Sequence, residues 1–284
     1  MKDIVKDILL SVVSACIGSG SLSADSIMIK DTTVEFIKTM WGYFAVAGIA
    51  MSIIYFLLEI NRKLAFERTD FSMHSFGAPF LKLGASVIVV GNGKSIISWL
   101  VKAGNQFITW ADTTFDPAWT AQDGLKDVVD QMTDGMGFFL AIALILPAFC
   151  MYLVTVACSI VWKYKALTYK IEVLYRMGIS PIALADVYSG QNAQGVRWLK
   201  AMLGLGLYGA SFIIVVKLGN AIALQEFAES ILQYFGDLES GAAVDESAKT
   251  VWEMISNLAG MLVVPIAELG VISAIRSAIK EALA

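Results

Sequence analysis

Long apolar runs separated by short polar segments dominate the chain. A membrane-crossing helix needs about 20 mostly apolar residues, and runs of that kind lie at residues 39–60, 136–162, 201–224 and 254–275. The first has no charge before Glu59, the second carries Pro147 near its middle, the third is interrupted by Lys217, and the fourth holds Pro265 and Glu268. A further run at 78–101 is apolar overall but contains Lys82 and the break Asn92-Gly93-Lys94. Its first half is too short to cross a bilayer by itself. The pattern predicts an all-α, polytopic membrane protein with about five transmembrane helices. These form a membrane domain over residues 39–275, after an N-terminal external segment, 1–38, and before a C-terminal tail, 276–284.

Two segments change from continuous to one-sided hydrophobicity. Near the start, Val5, Leu9 and Val12 oppose Asp3, Ile4, Asp7, Ile8 and Ser11. This is the pattern of an amphipathic helix lying in the membrane interface or packing on a neighbouring subunit. Val13-Ser14-Ala15-Cys16 has the form of a lipoprotein cleavage box, but Asp3 and Asp7 cancel Lys2 and Lys6, so the positive leader of a signal peptide is missing. Residues 163–200 are rich in Lys, Arg and Tyr, with a short apolar patch at 179–187 broken by Pro181. They read as a cytoplasmic helical hairpin on one membrane face, turning at Ser189-Gly190-Gln191-Asn192.

Charge orients the runs. Arg62, Lys63 and Arg68 follow the first, whereas the segment after residue 101 sets Asp112, Asp116, Asp123, Asp127, Asp130 and Asp134 against Lys126. Lys163, Lys165, Lys170, Arg176, Arg197 and Lys200 come next, and then Glu226, Glu229, Asp237, Glu239, Asp245 and Glu246 against Lys249. Arg276 and Lys280 close the series. Because loops rich in Lys and Arg stay cytoplasmic, the alternation requires five spans, with the N-terminus outside and the C-terminus inside. Without the run at 78–101 the two acidic segments would fall on opposite sides. Trp41, Trp110, Trp119, Trp162, Trp198 and Trp252 fall near run ends or in adjacent loops, where interfacial aromatic anchors belong.

Composition supports the same class: 57% of residues are hydrophobic and 16% charged, against about 45–50% and about 25% in soluble domains. A net charge of −4 excludes a global basic field for nucleic acid. The single histidine, His74, and the three cysteines, Cys16, Cys150 and Cys158, have no metal-ligand spacing. Gly91-Asn92-Gly93-Lys94-Ser95 ends like a phosphate loop, but Ile88 stands where its first glycine belongs. Nothing points to an enzyme, a metal or a cofactor. The remaining candidates are the intramembrane polar residues Lys94, Lys217 and Glu268. They line a polar path, or else the lysines snorkel to an interface or one pairs with Glu268. Small residues at Gly42, Ala45 and Gly48, and again at Ala201, Gly204, Gly206, Gly209 and Ala210, mark close helix packing within or between subunits. The acidic segments at 103–135 and 225–250 mix charge with aromatics, as solvated short helices or as docking faces for an external partner.

One stretch has a further meaning. Lys170-Ile-Glu-Val-Leu-Tyr-Arg176-Met-Gly-Ile-Ser-Pro181-Ile-Ala-Leu-Ala-Asp186-Val-Tyr-Ser-Gly190, followed by Gly195-Val-Arg197-Trp-Leu-Lys200, resembles the central cytoplasmic segment of the TrbL-type polytopic subunit of conjugative type IV secretion systems, most closely the Gram-positive-like version. The resemblance implies about five spans and an external N-terminus, as the charges do. It also implies a homo-oligomeric channel or scaffold component in the bacterial cytoplasmic membrane. Such a component would work with cytoplasmic ATPases and other secretion subunits to pass a single-stranded DNA–protein substrate. Lys163, Lys165, Arg176, Arg197 and Lys200 would then face the ATPases or the substrate, or serve only as cytoplasmic loop charge. A stand-alone transporter or channel for a small solute is the competing expectation.

Overall fold

A backbone in lipid has no water to bond, so a spanning segment has to satisfy its own N–H and C=O groups, and the helix does this locally. The computed structural model of the chain describes residues 2–17, 24–66, 73–114, 138–186, 193–223 and 248–283, and among these no strand occurs. The helices are α1 (Lys2–Ile17), α2 (Ala24–Ile27), α3 (Asp31–Phe66), α4 (Met73–Gly91), α5 (Gly93–Thr114), α6 (Phe138–Gly178), α7 (Ser180–Ala183), α8 (Gln194–Ala223) and α9 (Ala248–Leu283), with a 3-10 turn at Leu184–Asp186 after α7.

Among the described residues four stretches are long and apolar enough to cross a bilayer: Ala24–Ala65, Ile142–Gly178, Gln194–Gly219 and Leu262–Ala282. Gly77–Gly91 and Gly93–Thr114 pass the same test only together, across a 62° bend, and make a fifth if the bent pair crosses as one span. The protein is a multi-pass, all-helical membrane protein, and each of the five runs read from the sequence overlaps one of these stretches. The helices outrun the runs. α6 has 41 residues, about 60 Å at 1.5 Å per residue, against a hydrocarbon core of about 30 Å. Nothing in residues 163–177 breaks a helix, so α6 continues until the Gly178-Ile-Ser-Pro181 sequence, where proline cannot extend the ladder.

The chain divides into two compact units. Unit 1 comprises Met1–Ile27, Ile108–Leu167 and Ala210–Arg276. In its first helix Leu9 and Val12 are fully buried while Ile4 is exposed. Trp162 of α6 meets Phe212 of α8 edge-on, with ring centroids 5.8 Å apart.

Unit 2 comprises Met28–Phe107, Thr168–Gly209 and Ser277–Ala284. Here α3 packs along α4, with Phe56 against Phe80 at 4.7 Å and Lys82 bonded to Glu59 at 2.8 Å. The α4–α5 break occurs at Asn92, as the sequence indicates. The Asn92 side-chain amide donates back to the Ile88 carbonyl at 2.9 Å, and the backbone carbonyl of Asn92 accepts the amides of Ser95 and Ile96. The Trp41 indole fills the inside of the bend, donating to the Val90 carbonyl at 3.2 Å and lying where a Cβ on Gly93 would stand. Beyond the bend, α5 is tied to the chain just before α3 by a two-way bond: the Asn105 amide accepts from Ile29 N and donates to Ile29 O.

Candidate functional site

The segment at residues 170–200 lies in unit 2 and is built around a buried turn. Ser180, Leu184 and Ala185 are essentially inaccessible. The turn rests on α3 midway along the apolar run at 39–60. A Cβ on Gly48 would lie 2.5 Å from the Pro181 carbonyl oxygen, and the Ser52 hydroxyl donates to the Ala185 carbonyl at 3.1 Å. The non-helical backbone thus finds its partners inside the protein, the condition under which such backbone survives in a membrane protein. The expected turn at residues 189–192 lies outside the described residues.

Two devices close the segment. The Asp186 carboxylate accepts the amides of Gln194 (3.2 Å) and Gly195 (3.1 Å) at the start of α8, satisfying donors that the first helical turn leaves open and placing negative charge at the positive end of the helix. The Trp198 indole donates to the Arg176 carbonyl at 3.0 Å, which holds the start of α8 against the end of α6. Asp186→Ala is expected to lower stability by about 1–2 kcal/mol, as loss of a helix cap does, with Asp186→Asn losing less. Equilibrium unfolding in mixed micelles measures both, and equal losses would argue against the cap.

Arg176, Arg197 and Lys200 therefore flank the Trp198 bond in unit 2, and they differ in state. The Arg176 guanidinium is half-buried and bonds to Glu172 at 2.9 Å, whereas Arg197 and Lys200 are exposed. Lys163 and Lys165 belong to unit 1. Lys163 is exposed, and the Lys165 ammonium donates to the Leu269 carbonyl (3.0 Å) and the Ser273 hydroxyl (2.5 Å), binding α6 to α9. Of the five basic residues, Lys163, Arg197 and Lys200 present their side chains to the surroundings, while Lys165 and Arg176 carry internal bonds.

The intramembrane polar residues separate in the same way. Lys94 is exposed at the start of α5. Lys217 bonds to the Asp112 carboxylate at 2.9 Å and to the Asp112 carbonyl, so its acidic partner is Asp112 and not Glu268. In the charge pattern along the chain Asp112 counts among the outer acidic charges. Its position at the end of the α5 helical pattern was the available signal. Glu268 is 7% exposed, and among the described residues no donor reaches its Oε1.

The tryptophans correct the anchor expectation. Trp41, Trp162 and Trp198 are buried, the first and last spending their N–H groups on backbone carbonyls, whereas Trp110 and Trp252 are exposed. Trp119, with most of both acidic segments, lies outside the described residues. Cys150 and Cys158 are free thiols. In comparisons with known proteins, no family model, no curated protein and no solved structure matches this chain.

Proposed function

We propose that this chain is a channel or scaffold component of a conjugative type IV secretion apparatus that oligomerises in a bacterial cytoplasmic membrane. The observation that carries the reading is the resemblance of residues 170–200 to the central segment of the TrbL-type subunit. The buried turn, the Asp186 cap and the Trp198 bond give that segment a structural role and leave Arg197 and Lys200 exposed at its end. In this reading the alternating loop charges set the N-terminus outside and the C-terminus in the cytoplasm. The basic end then meets the secretion ATPases or the single-stranded DNA–protein substrate.

The test is the double reversal Arg197→Glu with Lys200→Glu. Like charges set against each other at an interface cost several kcal/mol, and each 1.4 kcal/mol is tenfold. Conjugative transfer is therefore expected to fall on the order of a hundredfold, with membrane level and oligomer size unchanged. Normal transfer by a normally assembled variant would sink the contact role. A second reading, a transporter for a small solute, is favoured by one observation, the buried carboxylate of Glu268. Solute binding by a purified, functional monomer would favour it over the first, and a homo-oligomer that co-purifies with a secretion ATPase would do the reverse.

A further inference from the structure

Among the described residues, Glu268 is the only Asp, Glu, Lys or Arg that is buried. It lies on α9 three residues past Pro265, whose missing N–H removes a helical hydrogen bond one turn earlier. Its carboxylate is seated against the backbone of α8 at Gly219, in the space where any side chain at that position would begin. Cys158 of α6 is also buried, and α6 is held to α9 by Lys165 bonded to Leu269. The three helices enclose the group within unit 1.

Three charged groups on these helices are directed elsewhere. Lys165 of α6 bonds to the carbonyl of Leu269 and to Ser273, and Lys217 of α8 bonds to Asp112. Arg276 of α9 lies two turns beyond Glu268, near Lys165. Among the described residues Oε1 of Glu268 is left with no donor. An ionised oxygen in that state costs several kcal/mol, so the site calls for a bound cation. A hard metal ion requires about six oxygen ligands, and among the described residues no three His, Cys, Asp or Glu side chains come together to hold one. Contact with Gly219 also leaves no shell for a hydrated ion on that side. A proton needs only the lone pair that Oε1 presents.

We propose that Glu268 is a membrane-embedded proton-binding group, its carboxylate taking up one proton within the α6–α8–α9 packing. The inference stands on unit 1 alone and does not use the segment at 170–200, so it holds or fails independently of the secretion reading.

The test uses the intact chain in its native membrane with dicyclohexylcarbodiimide, an apolar reagent that reacts with protonated carboxyl groups. The acid O–H adds across one C=N bond, the proton going to nitrogen and the carboxylate oxygen to carbon. The acyl group then shifts to nitrogen, so a stable acylurea forms and nothing leaves. Peptide mass spectrometry is expected to find one reagent mass on Glu268, with labelling lost in E268Q. Labelling should fall as pH rises, approaching about tenfold per unit once the carboxyl is mostly ionised. It should be equal in sodium and choline chloride, and a water-soluble carbodiimide should label exposed Glu35 but not Glu268. Absence of the adduct from the wild-type chain overturns the proposal. Selective protection by sodium overturns it in favour of a metal cation, and equal labelling by the water-soluble reagent overturns it by showing a hydrated carboxylate.

Discussion

Replacing Trp41 by alanine is expected to lower the stability of the protein by about 3 kcal/mol, the range for deleting a large buried aromatic. The indole is 1% exposed and occupies the inside of the 62° bend between α4 and α5. In lipid little is gained by moving an apolar ring out of its surroundings, because hydrocarbon tails are as apolar as the protein interior. The loss therefore comes mainly from contacts forfeited around the cavity. A second contribution is polar. Val90 is near the end of α4, where carbonyls lack an intrahelical donor, and the Trp41 N–H supplies one at 3.2 Å. Trp41→Phe separates the two effects: it keeps most of the packing and leaves the carbonyl unpaired, at a cost of about 1–3 kcal/mol. Equilibrium unfolding in mixed detergent micelles reads both variants. An alanine variant within about 1 kcal/mol of the wild type would mean that the bend holds without the indole.

Gly48→Ala is expected to cost about 2–3 kcal/mol and Gly48→Val more, because the obstacle is the backbone of Pro181 and not a side chain that can rotate away. The control lies in the same helix. Gly42 has nothing within 4 Å of an added Cβ, so Gly42→Ala should be neutral or stabilising by up to about 1 kcal/mol, the helix-propensity gain. The pair is measured by the same unfolding titration. Similar effects at the two positions would show that the Pro181 turn does not rest on α3 as described. A loss of oligomer in the Gly42 variant, with the protomer fold intact, would assign that glycine to contacts between copies.

These two sites show where the sequence was legible. Gly42 and Gly48 belong to one small-residue pattern and look equivalent in it. Only the approach of Pro181 to Gly48 distinguishes them. Trp41 resembles an interfacial anchor because it stands near the start of an apolar run, and its burial depends on a break 51 residues later at Asn92. The break itself was readable, since Asn-Gly-Lys interrupts an apolar run. The basic residues at 163–200 were readable as a group, but their division into bonded Lys165 and Arg176 and exposed Lys163, Arg197 and Lys200 was not. The acceptors are a carbonyl 104 residues away for Lys165 and a carboxylate one turn back for Arg176.

The sequence by itself determined the class of protein, the approximate location of the apolar runs and the interruption at Asn92-Gly93-Lys94. Each depends on local length, periodicity or charge, and a helix satisfies its own backbone wherever it sits. Tertiary structure alone decided which apolar faces turn inward. Tyr43, Val46 and Leu57 of α3 are exposed while Trp41 is buried, and hydropathy treats them alike. In a soluble protein the polar face would mark the outside. In a bilayer both faces are apolar, so helix neighbours are chosen by close packing and a few hydrogen bonds. Gly48 on Pro181, Ser52 on Ala185, Lys217 on Asp112 and Gly219 on Glu268 are such choices, each joining residues far apart in the chain.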